Sequence, residues 1–305
     1  MKVLTWRRDG LVRPGLLRGD EIVDLSPWFD DTLALIDAGD DGLDRAREAL
    51  EGPAAAALAD VELLAPLKPR QLRDFIAFEE HLRNGMRQSM RRSYGRIGAA
   101  LLERLRIARV PDVWYERPLY YKANRFSVVG HEHDVQWPPY CELLDYELEL
   151  AMVVGRTGRD IAERDARKHI FGFTIFNDVS ARDTQGKEMG PGFHLGPSKS
   201  KDFDTGNVLG PWIVTRDELD PYGLRMTARV DGETWSEGRS STMYWSFEQM
   251  LAWVSRSETV HAGEVFGSGT VGTGCGLEQG RFLHDGAVVE LEIEGIGVLR
   301  NRVVR

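Results

Sequence analysis

The chain has 305 residues, 42% of them hydrophobic, with 39 basic against 48 acidic side chains and a net charge of −9. That length suits one large domain or a large domain with a smaller companion, and the acidity argues against a nucleic acid or an anionic membrane as partner. Two distant cysteines, Cys141 and Cys275, exclude a disulfide scaffold and fit a reducing cytoplasm, and no apolar run approaches the roughly 20 residues that span a bilayer.

In chain order, "KVLTWR" and "EIVDLS" predict short strands around a turn, and "DTLALIDAGDDGLDRAREALEG" predicts a helical stretch closed by Gly52 and Pro53. Pro66 and Pro69 mark a boundary, giving a small N-terminal domain over residues 1–68 and a larger one over 69–305. From Asp74 to about Arg109 the pattern predicts helix, basic from Arg83 onward, which in an acidic protein reads as a solvated face. From Tyr115 on, short β-type runs dominate, with helical breaks near 162–171 and 245–257. The fold class is therefore α+β and β-rich.

Within "LLDYELELAMVVGR", residues 143–156, Asp145, Glu147 and Glu149 fall at every second position, so in a strand they share a face. An edge strand with a wet polar face would explain this, but the run continues into the apolar "AMVVG". A second polar cluster, "FNDVSARDTQ", ends a later apolar strand at Asp178. Carboxylates gathered there would be relieved of their repulsion by Mg²⁺, Mn²⁺ or Ca²⁺. Asp74 and His81, seven residues apart, are expected on one helix face. Arg182, Gln185 and Lys201 are of the types that stabilise an oxyanion, though each also fits an ordinary ion pair or turn. "HEHD", residues 131–134, reads as a polar turn, and "GSGTVGTGCG", residues 267–276, matches no nucleotide-binding pattern.

Taken together, Asp74 with His81, "DYELE", "FNDVSARDTQ", "KDFDTGNVLGPW" and "GSGTVGTGCGLE" resemble the fumarylacetoacetate hydrolase family over roughly Leu72 to Val303. The resemblance implies a mixed β-sandwich or roll catalytic domain beside a small N-terminal β-rich domain. It implies Asp74, Glu147, Glu149 and Asp178 as ligands of one Mg²⁺ (or Mn²⁺ or Ca²⁺), with Asp145 supporting the strand. His81 corresponds to the general base and Glu278 to the residue that orients it. Arg182, Gln185 and Lys201 correspond to the oxyanion-stabilising set, and Tyr121 and Thr270 to substrate contacts. Lys201 and Thr205 match positions that hold a second cation in some members.

The implied function is divalent-metal-dependent hydrolysis of a carbon–carbon bond in a small 1,3-dicarbonyl or acylpyruvate-type acid, His81 taking a proton from the attacking water. The alternative on the same parts is isomerisation, tautomerisation or decarboxylation of a 2-oxo acid. A non-enzymatic binding protein is the third reading. Members specialised for fumarylacetoacetate carry other residues where this chain has Ile76, Met90 and Gly192, so a different substrate is expected. Residues 83–121 are expected to form a lid, and the resemblance implies a homodimer.

Overall fold

Apolar residues at every second position lay down strands along most of the chain, and burial on both faces turns the central ones into continuous apolar runs. The computed structural model describes residues 1–104, 109–189 and 196–305. Strands β1 (Lys2–Arg8), β2 (Leu11–Arg18) and β3 (Glu21–Asp24) open the chain, followed by helices α1 (Thr32–Asp37) and α2 (Gly39–Ala49). Then come β4 (Leu72–Phe75), α3 (Glu79–Arg104), β5 (Tyr120–Ala123), β6 (Leu148–Val154), β7 (Ile170–Asp178) and α4 (Arg182–Glu188). The remainder includes β8 (Asn207–Thr215), β9 (Arg225–Val230), β10 (Glu233–Arg239) and α5 (Phe247–Val254). It closes with β11 (Val265–Gly267), α6 (Gly276–Gln279), β12 (Val288–Ile293) and β13 (Gly297–Val304).

A large sheet runs β3–β2–β1–β8–β7–β6–β11–β4–β5, antiparallel along this path except where β11 lies parallel to β4. A smaller antiparallel sheet runs β10–β9–β12–β13. The large sheet is covered on both faces. Along β6, Leu148, Leu150, Met152 and Val154 enter the core shared with the smaller sheet, while Ala151 and Val153 enter the core that holds Leu35 of α1 and Ala46 of α2. Glu147 and Glu149 continue the second series, so the alternation legible in the sequence is real, but the face is buried rather than wet.

Three expectations need correction. The segment around Asp74 is strand, not helix: Leu72–Phe75 is fully buried and pairs with β11 and β5, and the helix begins only at Glu79. Asp74 and His81 therefore share no helix face. The sequence reading also misses β2, whose Arg13, Pro14 and Gly15 break the apolar alternation. Finally, the expected N-terminal helix is two helices. The boundary at Pro66 to Pro69 lies between strands of one sheet, because Lys2 and Val3 of β1 pair with Val214 and Ile213 of β8. The α3 face beyond Arg83 is largely exposed, as a solvated basic face requires. No helix among the described residues is long and apolar enough to cross a membrane.

Candidate metal and proton-transfer site

Cross-strand register assembles the site. Ala151 of β6 pairs with Gly267 of β11, Gly267 with Asp74 of β4, and Asp74 with Tyr121 of β5. Glu149 stands two residues before Ala151, and Asp178 ends the neighbouring β7. One carboxylate oxygen from each of Asp74, Glu149 and Asp178 lies within 4.8 Å of the others, and all three side chains are buried. They can meet because β11 has no side chain there: a Cβ at Gly267 would stand 2.6 Å from Asp74 Oδ1 and 2.9 Å from Glu149 Oε2. The Gly269 N–H donates to Glu149 Oε2 at 3.0 Å.

The electrostatics of this cluster are unbalanced. Burial, and then the Asp178 charge, push the Asp74 carboxyl well above its ordinary value; burial and Asp74 do the same to Glu149. Asp178 is raised by burial although Lys201 pulls the other way. Asp74 Oδ1 and Asp178 Oδ1 are buried with no hydrogen-bond partner. Crowded, desolvated acids with oxygens to spare are the donor set a hard divalent cation takes, so these residues fit such an ion.

Glu147 has a different environment. Its Oε1 accepts from Arg182 Nη2 at 2.7 Å and its Oε2 from Lys201 Nζ at 2.5 Å, and the same ammonium donates to Asp178 Oδ2 at 2.5 Å. Burial would raise Glu147, but Arg182 and Lys201 outweigh it and hold the carboxyl far below the usual range. Among the four acids singled out in the sequence, three converge and Glu147 is paired to cations beside them.

A second functional group lies next to Glu147. His81, in the first turn of α3, has Nδ1 2.8 Å from Glu278 Oε1 and Nε2 4.0 Å from Glu147 Oε1. Glu278 Oε2 accepts from Asn84 Nδ2 at 2.9 Å and from the Thr273 N–H at 2.8 Å, and Gln88 Nε2 donates to its carbonyl at 2.8 Å. A carboxylate so fixed accepts the Nδ1–H hydrogen bond, leaving Nε2 with the lone pair and pointing it toward Glu147. Asn84 and Gln88 were not foreseen; their spacing of three and seven residues from His81 along a helix is the signal that could have found them.

Asp145 binds these parts together. Its Oδ1 accepts from the Gly276 N–H at 2.8 Å, and its Oδ2 from the Leu277 N–H and from Arg182 Nε, both at 2.9 Å. It thus caps the helix that carries Glu278 and holds the guanidinium that reaches Glu147, where the resemblance implied support of the strand. The other expected oxyanion donors are likewise engaged inside the protein: Gln185 Oε1 accepts from Arg182 Nη1 at 2.9 Å. Tyr121, expected to touch substrate, donates its hydroxyl to Asp178 Oδ2 at 2.6 Å, and the Thr270 hydroxyl donates to Glu149 Oε1 at 3.4 Å. Thr205, paired with Lys201 as a second cation site, uses its hydroxyl to accept the Gln136 N–H at 2.8 Å. Gly192 lies outside the described residues, as does the 105–108 part of the expected lid.

The family description "Fumarylacetoacetate (FAA) hydrolase C-terminal" matches residues 75–304. The chain is 39% identical over 191 residues to the human mitochondrial oxaloacetate tautomerase FAHD2A, a match covering 62% of this chain and 60% of that protein. The match therefore spans about three fifths of that relative's length. The fold is similar to that of a fumarylacetoacetate hydrolase from Exiguobacterium antarcticum, with a TM-score of 0.77, 30% identity, and coverage of 100% of this chain and 99% of the other. It is also similar to a 5-carboxymethyl-2-hydroxymuconate delta-isomerase from Mycobacterium smegmatis, with a TM-score of 0.72, 26% identity, and coverage of 100% and 99%.

Proposed function

The chain belongs to the fumarylacetoacetate hydrolase family, and on that premise we propose that it catalyses keto–enol interconversion of a small 2-oxo acid with the help of a divalent cation. The observation that carries this reading is the His81–Glu278 pair, whose Nε2 is the free proton acceptor beside an acid cluster. Tautomerisation needs a proton moved on and off carbon and an enolate stabilised, and nothing further. Relatives named as an oxaloacetate tautomerase and a delta-isomerase support the same class of proton transfer.

Asp74, Glu149 and Asp178 would hold the cation, with Glu147, which shares Lys201 with Asp178, as the fourth acid of the set. When bound there, Mg²⁺ or Mn²⁺ supplies a Lewis acid for the 2-oxo acid's oxygens. His81 Nε2 removes the proton from the carbon next to the 2-oxo group and returns it at the other end of the exchange. Glu278 keeps the imidazole in the tautomer able to do so and stabilises the imidazolium that forms. Burial around the acids excludes bulk water, which strengthens each of these interactions.

A second reading, hydrolysis of a carbon–carbon bond, is favoured by one distance. The 4.0 Å between His81 Nε2 and Glu147 Oε1 is a span that one bridging water can fill. In that reading His81 activates the water, and Arg182, Gln185 and Lys201 stabilise the oxyanion. The test is to follow loss of the enol absorbance of oxaloacetate, and of acylpyruvates, with Mg²⁺ or Mn²⁺ present. The tautomerase reading expects enol loss without ¹⁸O from labelled water entering a cleaved acid. Label in a released acid would replace it with hydrolysis, and an absence of both activities would sink the two together.

A further inference from the structure

Besides the three acids, one other group of metal-ligating side chains converges among the described residues: His81, Cys275 and Glu278, each offering one donor atom within 4.8 Å of the other two. Cys275 is fully buried, Glu278 nearly so, and His81 has 16% of its side chain open to solvent, which gives an ion a way in. Cys275 and Glu278 stand three residues apart around the start of α6, and His81 reaches them from α3. The donors differ in kind from the oxygen-only cluster. They are an imidazole nitrogen, a thiol sulfur and a carboxylate oxygen, the mixture that a borderline-soft cation prefers and that Mg²⁺ does not.

The sulfur–oxygen separation already suits zinc, and the nitrogen–oxygen one is that of a hydrogen bond. Nδ1 to Glu278 Oε1 is 2.8 Å, and Cys275 Sγ to the same oxygen is 3.5 Å. Tetrahedral zinc with its usual bond lengths places such donors about 3.3–3.6 Å apart. Binding therefore opens the Nδ1–Oε1 hydrogen bond by about 0.5 Å or more.

We propose that His81, Cys275 and Glu278 form a second, inhibitory metal site selective for Zn²⁺ and similar borderline-soft cations. The ion takes His81 Nδ1, Glu278 Oε1 and the Cys275 sulfur, leaving a fourth position for water. The imidazole proton moves from Nδ1 to Nε2 and the thiol proton leaves to solvent, so one proton is released per ion bound. With Nε2 protonated, His81 no longer accepts a proton, and turnover stops while the acid cluster keeps its own cation. The inhibitory consequence rests on the proposed role of His81; the binding does not.

Co²⁺ reports the site directly, because thiolate ligation gives a near-ultraviolet charge-transfer band that oxygen ligands do not. With the acid cluster saturated by excess Mg²⁺, the full chain is titrated with Co²⁺ and then with Zn²⁺. One equivalent of Co²⁺ should raise the band, Zn²⁺ should displace it, and Cys275→Ser should abolish it. In the same variant, half-inhibition by Zn²⁺ should need about tenfold more ion or higher. Should Cys275→Ser fail to fold, His81→Gln, on a half-buried helix position, must weaken Co²⁺ binding by a comparable factor while the sulfur remains. No band in the wild-type protein, or an equal band in the variants, overturns the proposal. A band without any catalytic turnover would instead count against the tautomerase reading and leave this site standing.

Discussion

At the scale of single residues, the chemistry divides between carboxyls whose proton affinity the fold raises and one whose proton affinity it lowers. Asp74 is pushed up by burial and by Asp178, and Glu149 by burial and by Asp74, whereas Glu147 is pulled down by Arg182 and Lys201 despite burial. The two kinds respond oppositely to pH. A carboxyl raised in the fold contributes its full share of stability below its unfolded value and loses it as pH rises through the folded value. The Glu147 contribution is present above its unfolded value and is lost as pH falls through the folded one. Without a divalent cation the acid pair should therefore cost stability as pH rises past the ordinary carboxyl range of about 4, and a bound cation should recover it. Thermal melts should accordingly show a larger Mg²⁺-induced rise in Tm at neutral pH than at about pH 5. An equal rise at both would mean that these acids do not bind the ion. His81→Ala should lower enol–keto turnover by roughly 10²–10⁴-fold with cation affinity retained, measured by steady-state kinetics beside calorimetry. Most of these side chains were legible because their spacing survives folding unchanged. What the sequence could not reveal was that Glu147 spends both oxygens on Arg182 and Lys201, since which cation reaches which acid is settled by distances across 35 and 54 residues.

At the scale of elements, the site depends on a strand that yields space and a helix that is capped from afar. Gly267→Ala puts a methyl group against Asp74 Oδ1, Glu149 Oε2 and the Phe176 ring, none of which can move freely in a buried sheet. We expect a loss of about 1–3 kcal/mol by urea titration and Mg²⁺ affinity weakened well beyond that of a surface control. Asp145→Asn keeps an acceptor for the Gly276 N–H but places an amide NH2 where Oδ2 now accepts from the Leu277 N–H and Arg182, so the helix end should keep one of its two capping bonds while the guanidinium is released. The expected result is a fall in kcat larger than the fall in Tm would account for. The alternation of β6 was plain in the sequence, because a strand repeats every two residues whether its polar face is wet or dry. The strand character of Leu72–Phe75 was not: four residues are too few for periodicity to separate strand from helix, and only pairing with β11 and β5 decides it.

At the scale of the whole molecule, residues 1–68 and the rest share one sheet and one core, with β1 against β8 and Leu35, Ala46 and Phe171 in the same cluster. Deleting residues 1–68 would uncover that core and the edge of β8, and should yield an insoluble product rather than a smaller folded enzyme. A soluble, cooperatively melting fragment over 69–305 would refute this. Close approach at Gly130, where a Cβ would lie 2.2 Å from the Ala65 backbone nitrogen, makes Gly130→Ala a gentler probe of the same contact, with a lowered Tm expected. The proline-marked boundary was readable, but pairing between strands more than 200 residues apart leaves no local trace. Lys201, whose ammonium joins Glu147 to Asp178 inside the acid cluster, has a consequence for how the protein matures. If the cluster takes a cation as proposed, the Lys201 ammonium already brings one positive charge to it, and folding would not have to wait for metal. Loading would then be a late event in the life of the molecule, set by ion supply and not by the assembly of the fold.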